Sequence, residues 1–236
     1  MSLSGKKIVI VGAATSIGQV VVNSFLQCGA SVLATIHRQY PQSLNHPEVT
    51  VASLDLQDLN SLDLFCSKVV TVFGQIDVVI FLSGVLPGRN LSEYDDELLQ
   101  QVMMINFIGQ AALLRRLIPH FSESALVLMV SSISAERGSY DPIYAAAKAA
   151  QIGLVKSLAT GLAPGVRVNA IAPGLIENST MFHDMSLERR DYHLKKTPTG
   201  RLTTKDDIAS IIINMCEPAW NNVNGQVIRV NGGAYV

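Results

Sequence analysis

The sequence predicts an α/β fold in which helices cover both faces of a parallel β-sheet. Short apolar runs rich in Val and Ile alternate along the chain with longer segments of helical periodicity. These runs are apolar at successive positions, as expected of strands buried on both faces. The 236 residues, with 48% hydrophobic and 16% charged side chains, are enough for one sizeable core. We therefore predict one doubly wound domain over residues 1–236.

The individual elements follow from the same patterns. The β-branched apolar runs predict seven strands, at 8–11, 31–35, 49–54, 77–82, 125–130, 166–171 and 226–230. Helical periodicity predicts helices at 17–28, Leu59–Phe73, 95–121, from the region of Tyr144 to 162, and at 208–216. Gly29 and Gly74 end the first two helices, and Gly109 predicts a pause in the third.

Composition excludes several classes of protein. The net charge of −1 without a basic run gives no indication of nucleic acid or an anionic membrane as partner. The three cysteines are widely spaced, which indicates a reducing compartment without a disulfide framework. No apolar run has the length of a membrane span, and the first strand leaves no room for a signal peptide, so we expect a cytoplasmic protein. The histidines show no metal-ligand spacing, so no metal site is predicted.

One pair of residues predicts acid-base chemistry. Tyr144 and Lys148 are separated by three alanines, which favour a helix and place both side chains on one face. An ammonium one turn away favours the phenolate and lowers the pKa of a tyrosine from its usual ~10. Ser131 or Ser132, upstream, could share a carbonyl or alcohol oxygen with this tyrosine and stabilise charge on it.

The same spacing occurs a second time. Tyr192 and Lys196 repeat it, but they follow the polar run 188–191 and have no apolar strand or serine pair before them. This second copy is typical of an exposed lid or loop. Taken alone, Tyr144 and Lys148 would also be typical of a surface helix, so the strand and the serines before them carry the prediction.

The turn after the first strand predicts a phosphate site. It extends from Gly12 to Gly18 with Thr15, Ser16 and Ile17 between them. Small residues let the backbone approach a pyrophosphate, and the helix that follows directs its free N–H groups toward it. The spacing Gly-x-x-x-Ser-Ile-Gly differs from the dinucleotide-binding motif Gly-x-Gly-x-x-Gly. The position of the turn after the first strand is therefore better evidence for a phosphate site than the motif itself.

These features together resemble the short-chain dehydrogenase/reductase superfamily, with a likeness to its carbonyl reductase and 3-oxoacyl reductase branch. The resemblance covers nearly the whole chain. It is carried by Gly12 to Gly18, Asn106, Ser131 and Ser132, Tyr144 to Lys148, Pro173 and Gly174, and 225–233. It implies a Rossmann-type domain, a nicotinamide cofactor, a small-molecule substrate, and hydride transfer between a carbonyl and an alcohol.

The resemblance also implies roles for single residues. Tyr144 would be the proton donor or acceptor, and Lys148 would lower its pKa and hold the nicotinamide ribose. Asn106 would support a proton-relay water. Ser132 matches the family's serine as the second of a pair, whereas Ser131 has the usual distance from the tyrosine. We prefer Ser132; the alternative is that either serine only caps the turn after its strand.

Cofactor choice depends on the end of the second strand. No acidic residue stands at 34–38 to accept ribose hydroxyls, whereas Arg38, helped by His37, could pair with a 2′-phosphate. This favours NADP(H) over NAD(H), although no basic residue lies within the glycine turn. The alternative is an exposed Arg38 without a role. Asp55 and Leu56 match the position at the adenine edge, where an Asp is otherwise typical of a cap.

The remaining family positions complete the predicted site. Residues 177–199 resemble a substrate lid, whose apolar members are expected to cover the pocket; an ordinary surface helix is the alternative. The C-terminal region from Thr197 resembles the part through which related chains pair as homodimers or homotetramers. Further cofactor contacts are implied for Ser83, Gly84, Pro173, Gly174 and Ile176. The apolar members of the lid are Met181, Phe182, Met185 and Leu187.

Some positions depart from the family pattern. Ser16 replaces a glycine, Phe81 and Leu82 replace two asparagines, and Asn178 stands where a threonine is usual, with Thr180 as a substitute. These departures motivate an alternative function, a non-catalytic dinucleotide-binding sensor or structural protein on the same fold. A hydrolase has no support without a Gly-x-Ser-x-Gly elbow, and an NTPase has none without a Gly-Lys-Ser/Thr loop.

Overall fold

A seven-stranded parallel sheet forms the centre of the protein, of which the computed structural model describes residues 3–236. Every strand pair is parallel, and the order is β3-β2-β1-β4-β5-β6-β7. The predicted doubly wound fold is confirmed. The strands are β1 (Lys7–Val11), β2 (Ser31–Ile36), β3 (Val49–Ser53), β4 (Ile76–Phe81), β5 (Phe121–Val130), β6 (Val166–Pro173) and β7 (Val227–Val230).

Helices connect successive strands. They are α1 (Ser16–Gln27), α2 (Leu59–Phe73), α3 (Asp96–Met103), α4 (Gly109–Leu117), α5 (Ser134–Arg137), α6 (Pro142–Gly161), α7 (Thr180–His183), α8 (Leu187–Lys195) and α9 (Lys205–Met215). The predicted helix at 95–121 is divided by a π-helical turn over Met104–Ile108, and β5 begins at Phe121, before the predicted 125. No helix within residues 3–236 is long and apolar enough to cross a bilayer.

The core has two halves because successive residues of a strand point to opposite faces of the sheet. Ile8 and Ile10 of β1 belong to a cluster with α1 and α9. Val9 and Val11 belong to the other cluster, with α2, α4 and α6. Both faces are therefore apolar and covered, which explains why the strand sequences are continuously hydrophobic.

The strand order places the ligand site. The chain moves outward from β1 to β2 and β3, and then returns to β4 on the other side of β1. The loops that follow β1 and β4 therefore run in opposite directions from the carboxyl ends of these two strands. They leave a crevice between them, which is the usual ligand position in open α/β sheets.

Candidate active site

A cavity of about 220 Å³ lies at the carboxyl ends of the strands. Its walls come from the glycine turn after β1, the loop after β4, the serine pair after β5, helix α6, and the segment after β6 with α7 and α8. Of the residues predicted to form the site, this cavity brings together Thr15, Ser16, Ile17, Gly84, Ser132, Tyr144, Lys148, Pro173, Gly174 and Ile176.

The glycine turn is held tightly against the loop after β4. Gly12 has a φ of +93°, and a Cβ there would lie 2.6 Å from the Ser83 backbone nitrogen, so only glycine fits. The Thr15 hydroxyl donates to the Gly12 carbonyl at 2.9 Å and accepts from the Gly18 N–H at 3.0 Å. Thr15 is thus the N-cap of α1. Ser16 is not among the described residues with positive φ, so it occupies the turn without backbone strain.

Tyr144 and Lys148 lie one turn apart near the start of α6, as their spacing predicts. Pro142 occupies the first turn of this helix, and the Asp141 carboxylate caps it by accepting the Tyr144 N–H at 3.0 Å. Both side chains are buried, with 5% and 4% exposure. The Lys148 ammonium nitrogen lies 5.8 Å from the centroid of the Tyr144 ring and donates to the Val130 carbonyl at 2.7 Å.

The predicted lowering of the Tyr144 pKa is wrong for this structure. Burial raises the pKa of Tyr144 to about 12, a hydrogen bond with the Ser132 hydroxyl opposes the rise, and the charge of Asp141 adds to it. Burial also lowers the pKa of Lys148 to about 7. The lysine is therefore only partly charged near neutrality and cannot act as the strong cationic neighbour that the spacing suggests.

The two serines differ in their partners. The buried Ser131 hydroxyl donates to the main-chain carbonyl of Lys148 at 2.9 Å and thereby ties β5 to α6. The Ser132 hydroxyl accepts from the Ser134 N–H at 3.1 Å, which closes the turn. Ser132 also lines the cavity together with Tyr144, and its hydroxyl acts to lower the pKa of that tyrosine. The Ser131 hydroxyl is thus engaged by the main chain of α6, whereas the Ser132 hydroxyl donates no bond to the main chain of the described residues. The preference for Ser132 stays a prediction.

Asn106 lies in the π-helical turn and is fully buried. Its amide accepts from the Val85 N–H at 3.0 Å and donates to the Val85 carbonyl at 2.9 Å. Its main-chain carbonyl accepts from the Gln151 amide at 2.9 Å. The side chain therefore anchors the loop after β4, beside Lys148: a Cβ on Gly84 would lie 2.8 Å from Asn106 Oδ1 and 3.5 Å from Lys148 Nζ.

The predicted adenine end lies beyond β2 and β3. His37 Nε2 is 3.5 Å from Asp55 Oδ2, so these two predicted residues do come together. Asp55 also accepts the Gln57 N–H at 2.9 Å within the loop before α2. Contrary to its alternative interpretation, it does not cap that helix, because the N-cap of α2 is Asp58. Arg38 is exposed, and Leu56 is buried in the core, so only its backbone could face a ligand.

The segment 177–199, for which a lid is predicted, contains the two short helices α7 and α8. Met181 and Met185 line the cavity, as predicted, and so does Thr180. The expectation for Leu187 is wrong: its side chain is 74% exposed, because the first turn of α8 points it to solvent. The Phe182 ring packs against the Arg190 guanidinium, 4.5 Å from ring centroid to Cζ.

The second Tyr-x-x-x-Lys pair has nearly the same local geometry as the first. Lys196 Nζ lies 5.9 Å from the centroid of the Tyr192 ring. Tyr192, however, is 56% exposed on α8, which confirms the prediction of an exposed segment. What distinguishes Tyr144 is burial against Ser132, and not its spacing from a lysine.

Two groups of site residues were missed from the sequence. Asp141 is buried and holds the start of α6, and the Tyr94 hydroxyl donates to it at 2.8 Å. Gln110 and Gln151 are also fully buried, and the Gln151 amide donates to Gln110 Oε1 at 2.8 Å. The signal for Asp141 was present, because an Asp before Pro142 is a typical helix start. Nothing local indicates the glutamines.

These residues fit a nicotinamide dinucleotide. Gly12 brings the backbone of the turn close to the loop after β4, and Thr15, Ser16 and Ile17 at the start of α1 line the cavity, so the N-terminal end of this helix faces the ligand space. At the other end, Tyr144, Lys148 and Ser132 face the same space. A doubly wound sheet with this arrangement at its switch point defines a dinucleotide-dependent oxidoreductase.

Comparisons with known proteins agree with this assignment to the dinucleotide-dependent oxidoreductases. Residues 12–235 match a family model described as enoyl-(acyl carrier protein) reductase. The chain is 30% identical to a 3-oxoacyl-(acyl-carrier-protein) reductase of Thermotoga maritima over 247 residues, with 100% of both proteins covered. It is 28% identical to 2-dehydro-3-deoxy-D-gluconate 5-dehydrogenase of Bacillus subtilis, covering 98% of this chain and 95% of that protein.

Solved structures give the same result. A short-chain dehydrogenase/reductase (glucose/ribitol dehydrogenase) from Brucella melitensis superimposes with a TM-score of 0.94 at 28% identity, with 100% of each chain covered. The chain belongs to the short-chain dehydrogenase/reductase superfamily. It is accordingly an NAD(P)-dependent oxidoreductase that acts on CH–OH and carbonyl groups.

Proposed function

We propose that the protein is an NADP(H)-preferring oxidoreductase that interconverts a small-molecule carbonyl and a secondary alcohol, with Tyr144 as the acid-base group. The observation that supports this proposal best is that the buried Tyr144 and Lys148 line one cavity together with Ser132, with the Lys148 amine 5.8 Å from the centroid of the tyrosine ring. The exposed pair Tyr192 and Lys196 lacks this environment.

The ionisation of Tyr144 suits the reductive direction. With its pKa raised to about 12, the phenol is protonated at neutral pH, which is the form that donates a proton to a developing alkoxide. The bound nicotinamide supplies the hydride in this direction and accepts it in the other. The Ser132 hydroxyl donates a second hydrogen bond to the same oxygen, so charge that develops there meets two donors.

Lys148 and Asn106 support this chemistry from behind the tyrosine. The Lys148 amine holds the nicotinamide ribose and is within reach of proton exchange, because its pKa of about 7 lies near working pH. Asn106 fixes the loop that carries Gly84, and through that loop it sets the floor of the cavity next to Lys148. We propose that it keeps the proton relay to this lysine open.

The preference for NADP(H) is supported by Arg38. This exposed arginine follows β2, and no carboxylate among the described residues forms an ion pair with it, whereas Asp55 is occupied by the neighbouring His37. The guanidinium is therefore free to pair with a 2′-phosphate. The cofactor contacts that we propose also include the backbone of Gly12 and Gly18 and the positions after β4 and β6.

The assembly of the protein is inferred from its resemblance to the family, and its place in the cell from its composition. We propose that two or four copies pair through the C-terminal region and that the protein works in the cytoplasm. A non-catalytic sensor is not favoured, since the relatives are named reductases and dehydrogenases.

The decisive experiment compares two tyrosines. NADPH oxidation is followed with a panel of aliphatic, cyclic and acyl ketones for the parent protein, Tyr144→Phe and Tyr192→Phe. We expect Tyr144→Phe to lower kcat by roughly 10²–10⁴, and Tyr192→Phe to stay within about twofold of the parent. Turnover that is indifferent to Tyr144, in a protein that still binds NADPH, would contradict the proposal and favour the sensor.

A further inference from the structure

The charged residues that line the cavity are all basic. Besides Lys148 they are Arg137, at the end of α5, and Arg189 and His193, one turn apart on α8. No Asp or Glu of residues 3–236 lines this cavity, although the chain as a whole has a net charge of −1. The cavity is therefore positive in a protein that is close to neutral, which favours an anionic ligand.

The two arginines at the mouth are not neutralised by neighbours. In the described part of the chain, neither Arg137 nor Arg189 has a carboxylate within ion-pair distance. Glu136, next to Arg137, is bound instead by Arg229 at 2.6 Å. Among the described residues Arg116, Arg201 and Arg229 are paired with carboxylates. The guanidinium groups of Arg137 and Arg189 are not, and at a cavity mouth they are available to a ligand.

The arginines are also held together at this mouth. Arg189 Cζ lies 5.9 Å from the centroid of the Tyr140 ring, just before α6, so the lid helix contacts the loop that leads to Tyr144. Burial lowers the pKa of His193, and the charges of Arg137 and Arg189 lower it further, which reflects their proximity. Placing several positive groups close together costs electrostatic free energy, and a bound anion between them would offset that cost.

The cavity that holds these arginines and Tyr144 also has apolar side chains in its wall. They include Leu86, Ile133, Met181 and Met185. A ligand that suits both the basic residues and the apolar wall of the cavity has an aliphatic segment, with an oxyanion at one end and a carbonyl at the other.

We propose that the substrate is a small carbonyl compound that carries an oxyanionic group, a carboxylate or a phosphate monoester, and that Arg137 and Arg189 bind this group at the cavity mouth. This inference rests on the proposed carbonyl reduction and names its substrate class. Planar guanidinium groups suit both anions, because each offers paired oxygens to a bidentate donor.

Matched substrates test the inference by kinetics. Acetoacetate, 4-oxopentanoate and 6-oxoheptanoate are compared with their methyl esters, and dihydroxyacetone phosphate is compared with dihydroxyacetone. We expect kcat/KM to be at least about tenfold higher for the anion in one of these families, and the family identifies the anion as carboxylate or phosphate. Arg137→Gln and Arg189→Gln should each remove about tenfold of that preference, measured as the ratio of kcat/KM for the anion to kcat/KM for its neutral partner.

A charge control and a binding measurement complete the test. Lys195→Gln removes one positive charge from the same helix α8 at an exposed position outside the cavity lining, and it should leave the preference intact. Calorimetric titration of 6-oxoheptanoate and of dihydroxyacetone phosphate into the protein with NADP⁺ measures binding of the anion without turnover.

The outcomes separate the two proposals. Turnover that depends on Tyr144 but favours no anion, or that falls equally for acid and ester in the arginine variants, would overturn the inference and leave the reductase. Arginine-dependent binding of the anion without any turnover would retain the anion site and overturn the reductase. Reduction only of a carbonyl carried on an acyl carrier protein would overturn the inference, because the arginines would then serve a protein partner.

Discussion

The hydroxyl of Tyr94 donates a 2.8 Å hydrogen bond to the carboxylate of Asp141, which is 1% exposed. The same carboxylate accepts the N–H groups of Tyr144 at 3.0 Å, Gly88 at 2.9 Å and Arg89 at 3.2 Å. Burial raises the pKa of Tyr94, and its bond to Asp141 adds to the rise. One buried acid thus joins the loop after β4 to the first turn of α6, the helix that carries Tyr144.

Replacing this acid should be costly. In Asp141→Ala, four donors lose their acceptor, and we expect the free energy of unfolding to fall by roughly 2–4 kcal/mol. Asp95→Ala is the matched control, because Asp95 is an exposed N-cap of α3 with one capping bond and should cost about 1 kcal/mol. Denaturant unfolding at neutral pH measures both. Equal losses of unfolding free energy in the two variants would mean that Asp141 stabilises the protein only as a helix cap and that its other hydrogen bonds contribute nothing.

The buried lysine should make stability depend on pH. The folded pKa of Lys148 is about 7, against an ordinary 10.5 in the unfolded chain. Between these values the unfolded chain binds more protons, so this residue makes the protein more stable as pH rises from 7 and imposes a constant cost below it. Lys148→Met removes the effect. Its stability gain over the parent should therefore be largest near pH 7 and shrink toward pH 9.

Equilibrium unfolding of the parent and Lys148→Met at intervals between pH 6 and 9 checks this slope. Lys68→Met, which replaces an exposed lysine of α2, is the control and should follow the parent throughout. A difference between Lys148→Met and the parent that does not change with pH would show that the folded lysine titrates normally.

Alanine should be harmful at one glycine of the site and stabilising at another glycine outside it. In Gly84→Ala the new methyl group would lie 2.8 Å from Asn106 Oδ1, so the Asn106 amide or the loop that carries residue 84 must shift next to Lys148, and we expect kcat to fall by about tenfold or more. Gly153 lies on α6 with no atom within 4 Å of an added Cβ. There alanine should raise the free energy of unfolding by about 0.5–1 kcal/mol and leave kcat unchanged. Steady-state kinetics and thermal unfolding distinguish these effects, and unchanged kcat in Gly84→Ala would show that the contact relaxes freely.

The choice of dinucleotide should depend on one arginine. Arg38→Ser is expected to weaken NADPH binding by roughly 10–100-fold through loss of charge-assisted hydrogen bonds to the 2′-phosphate, with little change for NADH. Fluorescence titration of both dinucleotides measures the ratio. Arg115→Ser, an exposed arginine on α4, controls for net charge. Equal weakening of NADPH and NADH binding would argue against phosphate recognition by Arg38.

The sequence predicted those parts of the protein that depend on local pattern. Leu59–Phe73 was predicted with its observed bounds, because Asp58 caps its start and Gly74 ends it. Tyr144 and Lys148 share a helix face because spacing alone determines this. The joining of Tyr94 to Asp141 could not be predicted, since the two residues are 47 positions apart and meet only through packing. The direction of the Tyr144 pKa was wrong for a related reason, because burial depends on the whole fold.

Because Asp141 holds both the loop after β4 and the helix that carries Tyr144, the pocket and the proposed proton donor are not independent targets for engineering. Insertions in 83–91 chosen to admit a larger ketone should also displace the phenol, and kcat should then fall for small and large ketones alike. Changes on the lid side, at Met181 or Met185, avoid this linkage, and they offer a route to new selectivity that leaves the rate of the chemical step intact.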